Sequence, residues 1–482
     1  MNRRTFLRGS SAVGAAAFAG GQAASQGAGN SLRAGVATTN ITPPLGASLA
    51  GNFTDIRSTE NHDDLHVKGV VLEQGSERIA LVLCDLCVIP ATVIEKAKTL
   101  AQRGAGIDAN SILIAATHTH SASTTMPIFQ SRPDPGYLDW LAVRIADCVA
   151  LAALRLEPAR IGWAFGAEPN LAFNRRFVMK AGTAPPNPFG GVDTVKTNPG
   201  VGNENVINPA GPTDPTVGVL AVESSSGRPM AVLGNYSLHY VGGQPQGHVS
   251  ADYFAYWART VAHGVGASGE LGAPPFVAML FNGAQGDINN INVSEKVGTR
   301  RPYEQMRRVA EGLAQETMSA LKRVRFHAET SINARYQSLS IAVRQPSTEE
   351  LSRAAEILAG TDPQAELKSA PQIYARETEY IAKYYPKLET VPVQSFRIGG
   401  LGIVAFSGEP FVEMGLAVRE KSPFEGQFVI GLANQHVGYL PTERAFEEGG
   451  YETWRAKTSY LHPSAAARMT AEALRQLGQL RG

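Results

Sequence analysis

A chain of 482 residues, 43% of them hydrophobic, can bury a large core, which excludes general disorder and leaves one large domain or two ordinary ones. A formal net charge of +1 gives no field for broad binding of nucleic acid or an anionic membrane, so any substrate is met by local chemistry. With only three cysteines, Cys84, Cys87 and Cys148, the fold is not built on disulfides.

In residues 1–28, Arg3 and Arg4 precede Phe6-Leu7, a short Ala/Gly-rich apolar run and small residues suited to cleavage. This resembles a twin-arginine export signal with its linker. The run is too short and too rich in glycine to span a bilayer, which takes about 20 apolar residues. The mature chain is therefore expected to have no transmembrane span and to act in the periplasm or outside the cell. Cleavage removes Arg3, Arg4 and Arg8 and no acid, which turns the formal charge from +1 to −2.

Residues 29–482 read as a single domain. Strand-like runs "HVKGVVLEQG" and "RIALVLCDL" are followed by the helical "ATVIEKAKTLAQRG", the run "SILIAATHT" and the helical "YLDWLAVRIADCVAL". Cys84 and Cys87 fall in one such apolar run, which predicts buried cysteines on a core strand. Residues 174–214 shift to Pro, Gly, Asn and Thr, the composition of a long loop insertion that is either a lid or a mobile segment. Further runs follow at "TVGVLAVES", "MAVLGNYSLH" and "FVAMLFNGA". Ser347 and Glu350 form a capping box at the head of a helix, and Gly399-Gly400 separates two strands before a helix with Pro410 in its first turn. A helix closes the chain. Several runs are continuously apolar, as strands covered on both faces are, so the fold class is a layered α/β domain with a mixed β-sheet covered by helices. No fixed-period repeat is visible.

The chemistry collects at the ends of these runs. In "THTHS", residues 117–121, a strand would project His118 and His120 to the same side, where they could share a metal. Such a pair also occurs for structural reasons, and more polar groups must converge on it. His239, Asp287, Asn289, Glu409 and Tyr439 each follow another apolar run, and in open α/β sheets ligands bind beyond the carboxyl ends of strands.

At this point the sequence resembles the catalytic N-terminal domain of the neutral/alkaline non-lysosomal ceramidases. The matching pieces are "HDDLHVKGVVL" at 62–72, "THTHS" at 117–121, "FNRR" at 173–176, "DPTVGVLAVE" at 214–223, "YSLHYV" at 236–241, "NGAQGDINN" at 282–290, "GEPF" at 408–411 and "GYLPTERAFEEGGYE" at 438–452. They stand in family order. The resemblance implies one Zn²⁺ held by His118, His239, Glu409 and Tyr439, a donor set that suits zinc. It also implies polar contacts to the reacting group from His120, Arg175 and Tyr451. We read Tyr451 as a donor to the developing oxyanion. His62 and Asp63 match as well, with a structural hydrogen bond as the expected role.

Two departures stand out. Where the family has a catalytic serine, "GDINNI" places Asn289, which cannot act as a hydroxyl nucleophile but can hydrogen-bond. Ser250 could be proposed in its place, but a structural Ser-x-Asp turn is expected there. The sequence ends at Gly482, and the C-terminal β-sandwich domain of full-length ceramidases is expected to be absent. The expected function is an exported zinc hydrolase of a small-molecule or lipid substrate, cleaving an N-acyl amide by attack of zinc-bound water. A zinc hydrolase of an ester or glycoside, or a non-catalytic binding protein of the same fold, are the alternatives. No nucleic-acid partner is expected.

Overall fold

The computed structural model describes residues 31–267, 272–296, 298–362 and 364–482; segment 1–28, expected from its sequence to be an export signal, lies outside the described residues. From Arg33 onward the chain runs three times through the same succession of elements. The first pass is β1 (Arg33–Asn40), β2 (His66–Gln74), β3 (Glu77–Cys84), α1 (Ala91–Ala105), β4 (Ile112–Ala116) and α2 (Pro135–Leu154). The second is β5 (Glu157–Ala167), β6 (Thr216–Ser224), β7 (Pro229–Tyr236), α3 (Asp252–Gly264), β8 (Val277–Asn282) and α4 (Glu304–Leu321). In the third, β9 (Ile332–Ala342) is followed by an inserted helix pair, α5 (Thr348–Leu358) and α6 (Ala370–Tyr384). It continues with β10 (Leu388–Ile398), β11 (Leu401–Phe406), α7 (Val412–Lys421), β12 (Gly426–Ile430), the short α8 (Glu443–Glu448) and α9 (Ala465–Arg481).

The pairing repeats with the order. In each pass the first three strands are antiparallel neighbours, and the third pairs in parallel with the fourth across a helical crossover. The first two passes share one eight-stranded mixed sheet, ordered β8-β7-β6-β5-β1-β2-β3-β4, joined at its middle where Arg33 and Ala34 meet Pro158 and Glu157. The third forms a separate four-stranded sheet, β9-β10-β11-β12. The absence of a visible repeat in the sequence reflects unequal insertions between corresponding strands; what recurs is topology.

The two sheets face each other across a core that includes Val36, Leu81, Leu233 and Phe281 on one side and Phe396, Ile403 and Phe428 on the other. The outer face of the large sheet is covered by α1 and α2 over one half and by α3 and α4 over the other. The outer face of the small sheet is covered by α7 and α9. Strands β3, β4, β8, β11 and β12 are thus buried on both faces, which explains their continuous apolar runs, each fully buried Val, Leu or Ile contributing about 1.5–3 kcal/mol, while β9 and much of β5 stay half-buried or exposed. Local signals set several ends: Pro135 occupies the first turn of α2 behind the Asp134 cap, Gly106 stops α1 at φ 66, and the Ser347–Glu350 capping box starts α5. Pro410, expected inside the first turn of α7, instead lies just before it, paired with Leu440. The 174–214 segment carries a three-stranded antiparallel sheet, Arg176–Met179 between Val195–Thr197 and Val206–Pro209. Among the described residues no helix is long and apolar enough to cross a membrane.

Candidate metal centre

The fourth strands of the three passes converge at their carboxyl ends. Ala116 N–H donates to the Leu432 carbonyl at 3.2 Å, Asn434 N–H to Ile114 at 2.8 Å, and Gly431 N–H to Asn282 at 3.0 Å. Loops that leave the third and fourth strands therefore meet in one place. His239 stands three residues beyond the end of β7 and Glu409 three beyond the end of β11; in the first pass that position, three beyond β3, is Cys87.

His118 does not project from a pleated strand as the HxH spacing suggests. β4 ends at Ala116, and His118 sits in the turn beyond it with φ 69. The turn still brings the pair together, with His118 and His120 Nε2 atoms 3.3 Å apart. His118 Nδ1–H donates to the Cys87 carbonyl at 2.8 Å and His239 Nδ1–H to the Gln285 carbonyl at 3.3 Å. A carbonyl can only accept, so each ring is fixed in the tautomer that leaves a lone pair on Nε2. Those two atoms lie 3.1 Å apart, and Glu409 Oε2 is 3.3 Å from one and 3.8 Å from the other. All three residues are at most 3% exposed.

Three acceptors turned on one point in a dry interior repel unless a cation or proton joins them. Burial disfavours the charged form of His118, yet Glu409 and Cys87 outweigh it and hold the pKa well above that of ordinary histidine. His239 goes the other way, pushed well down by burial, Arg175 and His118. Glu409 resists burial and is held below the usual carboxylate range by His118, His436 and Arg175. The His118–His239–Glu409 group can hold a metal ion.

Tyr439 is placed beside it by the backbone: the Glu409–Pro410 bridge pairs in parallel with Tyr439–Leu440, and Glu409 N–H donates to the Gly438 carbonyl at 2.9 Å. Burial and Glu409 raise the Tyr439 pKa, with Arg175 opposing them from above the phenol ring, 5.3 Å from its centre. Arg175 is no surface ion-pair residue. It is 6% exposed, donates from Nε to Glu452 Oε1 at 2.8 Å and from Nη2 to the Gly286 carbonyl at 2.7 Å. Tyr451 packs edge-on to Tyr439 with ring centres 5.7 Å apart. His120 lies flat against Tyr240, 3.7 Å between ring centres, and its other side touches Gly51, where a Cβ would come within 2.2 Å of the ring. Burial, His118 and Arg175 keep His120 neutral.

Asn289 is turned to a different task. Its Nδ2 donates to Asn198 Oδ1 at 2.6 Å and its Oδ1 accepts from Ile291 N–H at 2.9 Å, which ties β8's exit loop to the 174–214 insertion. Ser250 is equally engaged: its hydroxyl donates to Asp63 at 2.6 Å and accepts from Asp252 N–H at 3.0 Å, the Ser-x-Asp turn expected from the sequence. His62 hydrogen-bonds the Tyr256 hydroxyl at 2.7 Å. Cys84 and Cys87 are buried and free, but only Cys84 is on the strand; Cys87 lies 3.7 Å from His118 Nδ1. Sequence reasoning missed Tyr240, Gln285, His436 and Glu452. Of these, Tyr240, Gln285 and Glu452 lie inside the ceramidase-like pieces "YSLHYV", "NGAQGDINN" and "GYLPTERAFEEGGYE", their one sequence signal.

The two facing sheets and their covering helices form a ceramidase-like α/β fold. Its likeness among solved structures is to neutral ceramidase from Pseudomonas aeruginosa, with TM-score 0.70 and 19% identity, covering 94% of this chain and 75% of that one. A ceramidase complexed with C2 superposes equally, with TM-score 0.70 and 17% identity over 94% of this chain and 75% of that one. No family model matches the sequence, and no curated protein does.

Proposed function

We propose that the protein is a zinc-dependent hydrolase that cleaves an N-acyl amide, with His118, His239, Glu409 and Tyr439 as the metal-holding set. The observation that carries this is the convergence of His118 Nε2, His239 Nε2 and Glu409 Oε2 within 3.8 Å in a buried site. The shared fold with neutral ceramidase supports it. Those four residues would hold zinc, and the chemistry it would supply there is an acidified water and polarisation of the substrate carbonyl.

The chain's own residues do the rest. His120, held neutral and wedged between Gly51 and Tyr240, presents Nε2 to take the proton of the attacking water. Tyr451 keeps its hydroxyl proton because burial raises its pKa, so it can donate to the developing oxyanion. Arg175, anchored by Glu452, holds Tyr439 in place. No side chain need form an acyl intermediate, which accommodates asparagine at 289. Export through the twin-arginine route belongs to the same proposal and rests on Arg3-Arg4 and the apolar run that follows them.

The test is metal content together with turnover on a panel of N-acyl amides, esters and glycosides. One zinc per chain and amide hydrolysis are expected. Cleavage of an ester or glycoside alone would move the protein to another hydrolase class, and a zinc-loaded protein inert on the whole panel would make it a binding protein.

A further inference from the structure

Beneath the ligand set lies a second group of polar side chains that no step above uses. Asn282 and Gln285 are 0% exposed and His436 is 4% exposed. Among the described residues, Asn282 Oδ1, both amide atoms of Gln285, both ring nitrogens of His436 and Glu409 Oε2 have no hydrogen-bond partner. Buried polar atoms are nearly always partnered, and a concentration of exceptions marks bound water or a functional role.

Each member is tied to a neighbour of a ligand. Asn282 Nδ2 donates to the carbonyl of Thr117, next to His118, at 3.2 Å. Gln285 receives His239 Nδ1–H on its carbonyl. Its side-chain oxygen faces Gly431, where a Cβ would lie 2.8 Å away, so glycine is required for this approach. His436 falls between Ala433, whose N–H donates to Phe406, and Gly438, whose carbonyl receives Glu409 N–H. Burial keeps this imidazole neutral, its pKa pushed down to about 4 with Glu409 opposing and His118 adding. A neutral imidazole offers one donor and one acceptor, and an amide adds donors and acceptors of both kinds, the complement that fixed water needs.

We propose that His436, Gln285 and Asn282 form a buried polar floor that holds ordered water under the metal centre, and that His436 is the positioning residue through which this water fixes the Glu409 carboxylate. This rests on the metal assignment above but not on hydrolysis. Partners of a ligating carboxylate set its orientation and basicity, and losing one lowers metal affinity by about 10–100-fold.

The experiment measures zinc affinity by chelator competition, and thermal unfolding of the metal-free protein, for the full chain and its His436→Leu, His436→Asn and Gln285→Leu variants. His436→Leu is expected to weaken zinc binding by about 10–100-fold. Its metal-free form should be no less stable than wild type, because the imidazole and the water it orders leave together, and exchanging both for an apolar group of similar size is close to neutral. A merely structural histidine would lower both together. His436→Asn, which keeps a donor and an acceptor, should recover most of the affinity, and a crystal structure should show water between His436 and Gln285. Unchanged zinc affinity in His436→Leu overturns the proposal, as does a loss that His436→Asn fails to recover. If His436→Leu does not fold, Gln285→Leu must weaken zinc binding or the proposal falls. A wild type that binds zinc and behaves as stated but hydrolyses nothing would retire the hydrolase and leave the floor standing, whereas a wild type that binds no zinc overturns both.

Discussion

Arg175 and Arg176 meet Glu448 and Glu452 in a buried network where two cations face two carboxylates, with contacts of 2.8 to 3.3 Å, whereas a few residues away two imidazoles and a carboxylate face one another as acceptors. The first group is complete within the chain. Thr197 fills a further lone pair of Glu452 at 2.6 Å, and carbonyls of Gly286 and Gly449 take the remaining guanidinium protons they can reach. The second group leaves Glu409 Oε2 without a hydrogen-bond partner among the described residues. Balanced buried charge is a scaffold, and buried charge short of a cation is a place for one. The two are neighbours because the scaffold fixes Arg175 over Tyr439.

The sharpest way to break this division is to remove one carboxylate from each side. Glu409→Ala should abolish both zinc content and activity, measured by metal analysis and turnover, while the fold survives by circular dichroism. Glu452→Ala should instead destabilise the protein by about 3–5 kcal/mol in urea unfolding, since it leaves two buried guanidiniums short of their partner, with zinc still bound in the folded fraction. Metal loss in Glu452→Ala without loss of stability would merge the two clusters into one.

Lys98 offers a third kind of buried charge, its ammonium 5.1 Å over the Tyr336 ring and its pKa lowered by burial from 10.5 to about 7. Between those values the unfolded chain holds more protons than the native one, so stability rises with pH across the window from about 7 to 10.5. Lys98→Met is expected to stabilise the protein at pH 7 by on the order of a few kcal/mol, a gain that shrinks toward zero near pH 10.5. Chemical unfolding at a series of pH values checks it; a gain constant with pH would assign the effect to packing.

The smallest effect is expected at Asn289. Its two side-chain bonds hold a loop, so Asn289→Ala should lower stability by about 1–2 kcal/mol and turnover by about 10²-fold or less. Abolished turnover with zinc retained would bring this residue into the chemistry after all.

The sequence made some of this legible and hid the rest for physical reasons. Strands buried on both faces wrote themselves as apolar runs, and the Ser347–Glu350 box marked a helix start because capping is a local interaction. Apolar runs marked the strand ends where His118, His239, Glu409 and Tyr439 stand, along with Asp287 and Asn289, but it was the resemblance to the ceramidases that set these four apart as a ligand set. How His118 turns could not: its positive φ and its bond to Cys87 depend on a loop 31 residues away in sequence. Glu452 and His436 looked like ordinary polar residues of a loop, and only the packing of the third pass against the first two buries them. The threefold recurrence was hidden for a related reason. Corresponding strands need only be apolar, and corresponding loops are free to differ, as Cys87, His239 and Glu409 do.

Because the proposed ligand set is gathered from residues 118, 239, 409 and 439, a ribosome would have to deliver the chain past residue 439 before the full set could assemble. A nascent chain holding the first two passes carries both histidines but neither Glu409 nor Tyr439. On the proposed assignment, metal capture would therefore be a late event in the life of each molecule, an acquisition by a finished fold and not a nucleus for it.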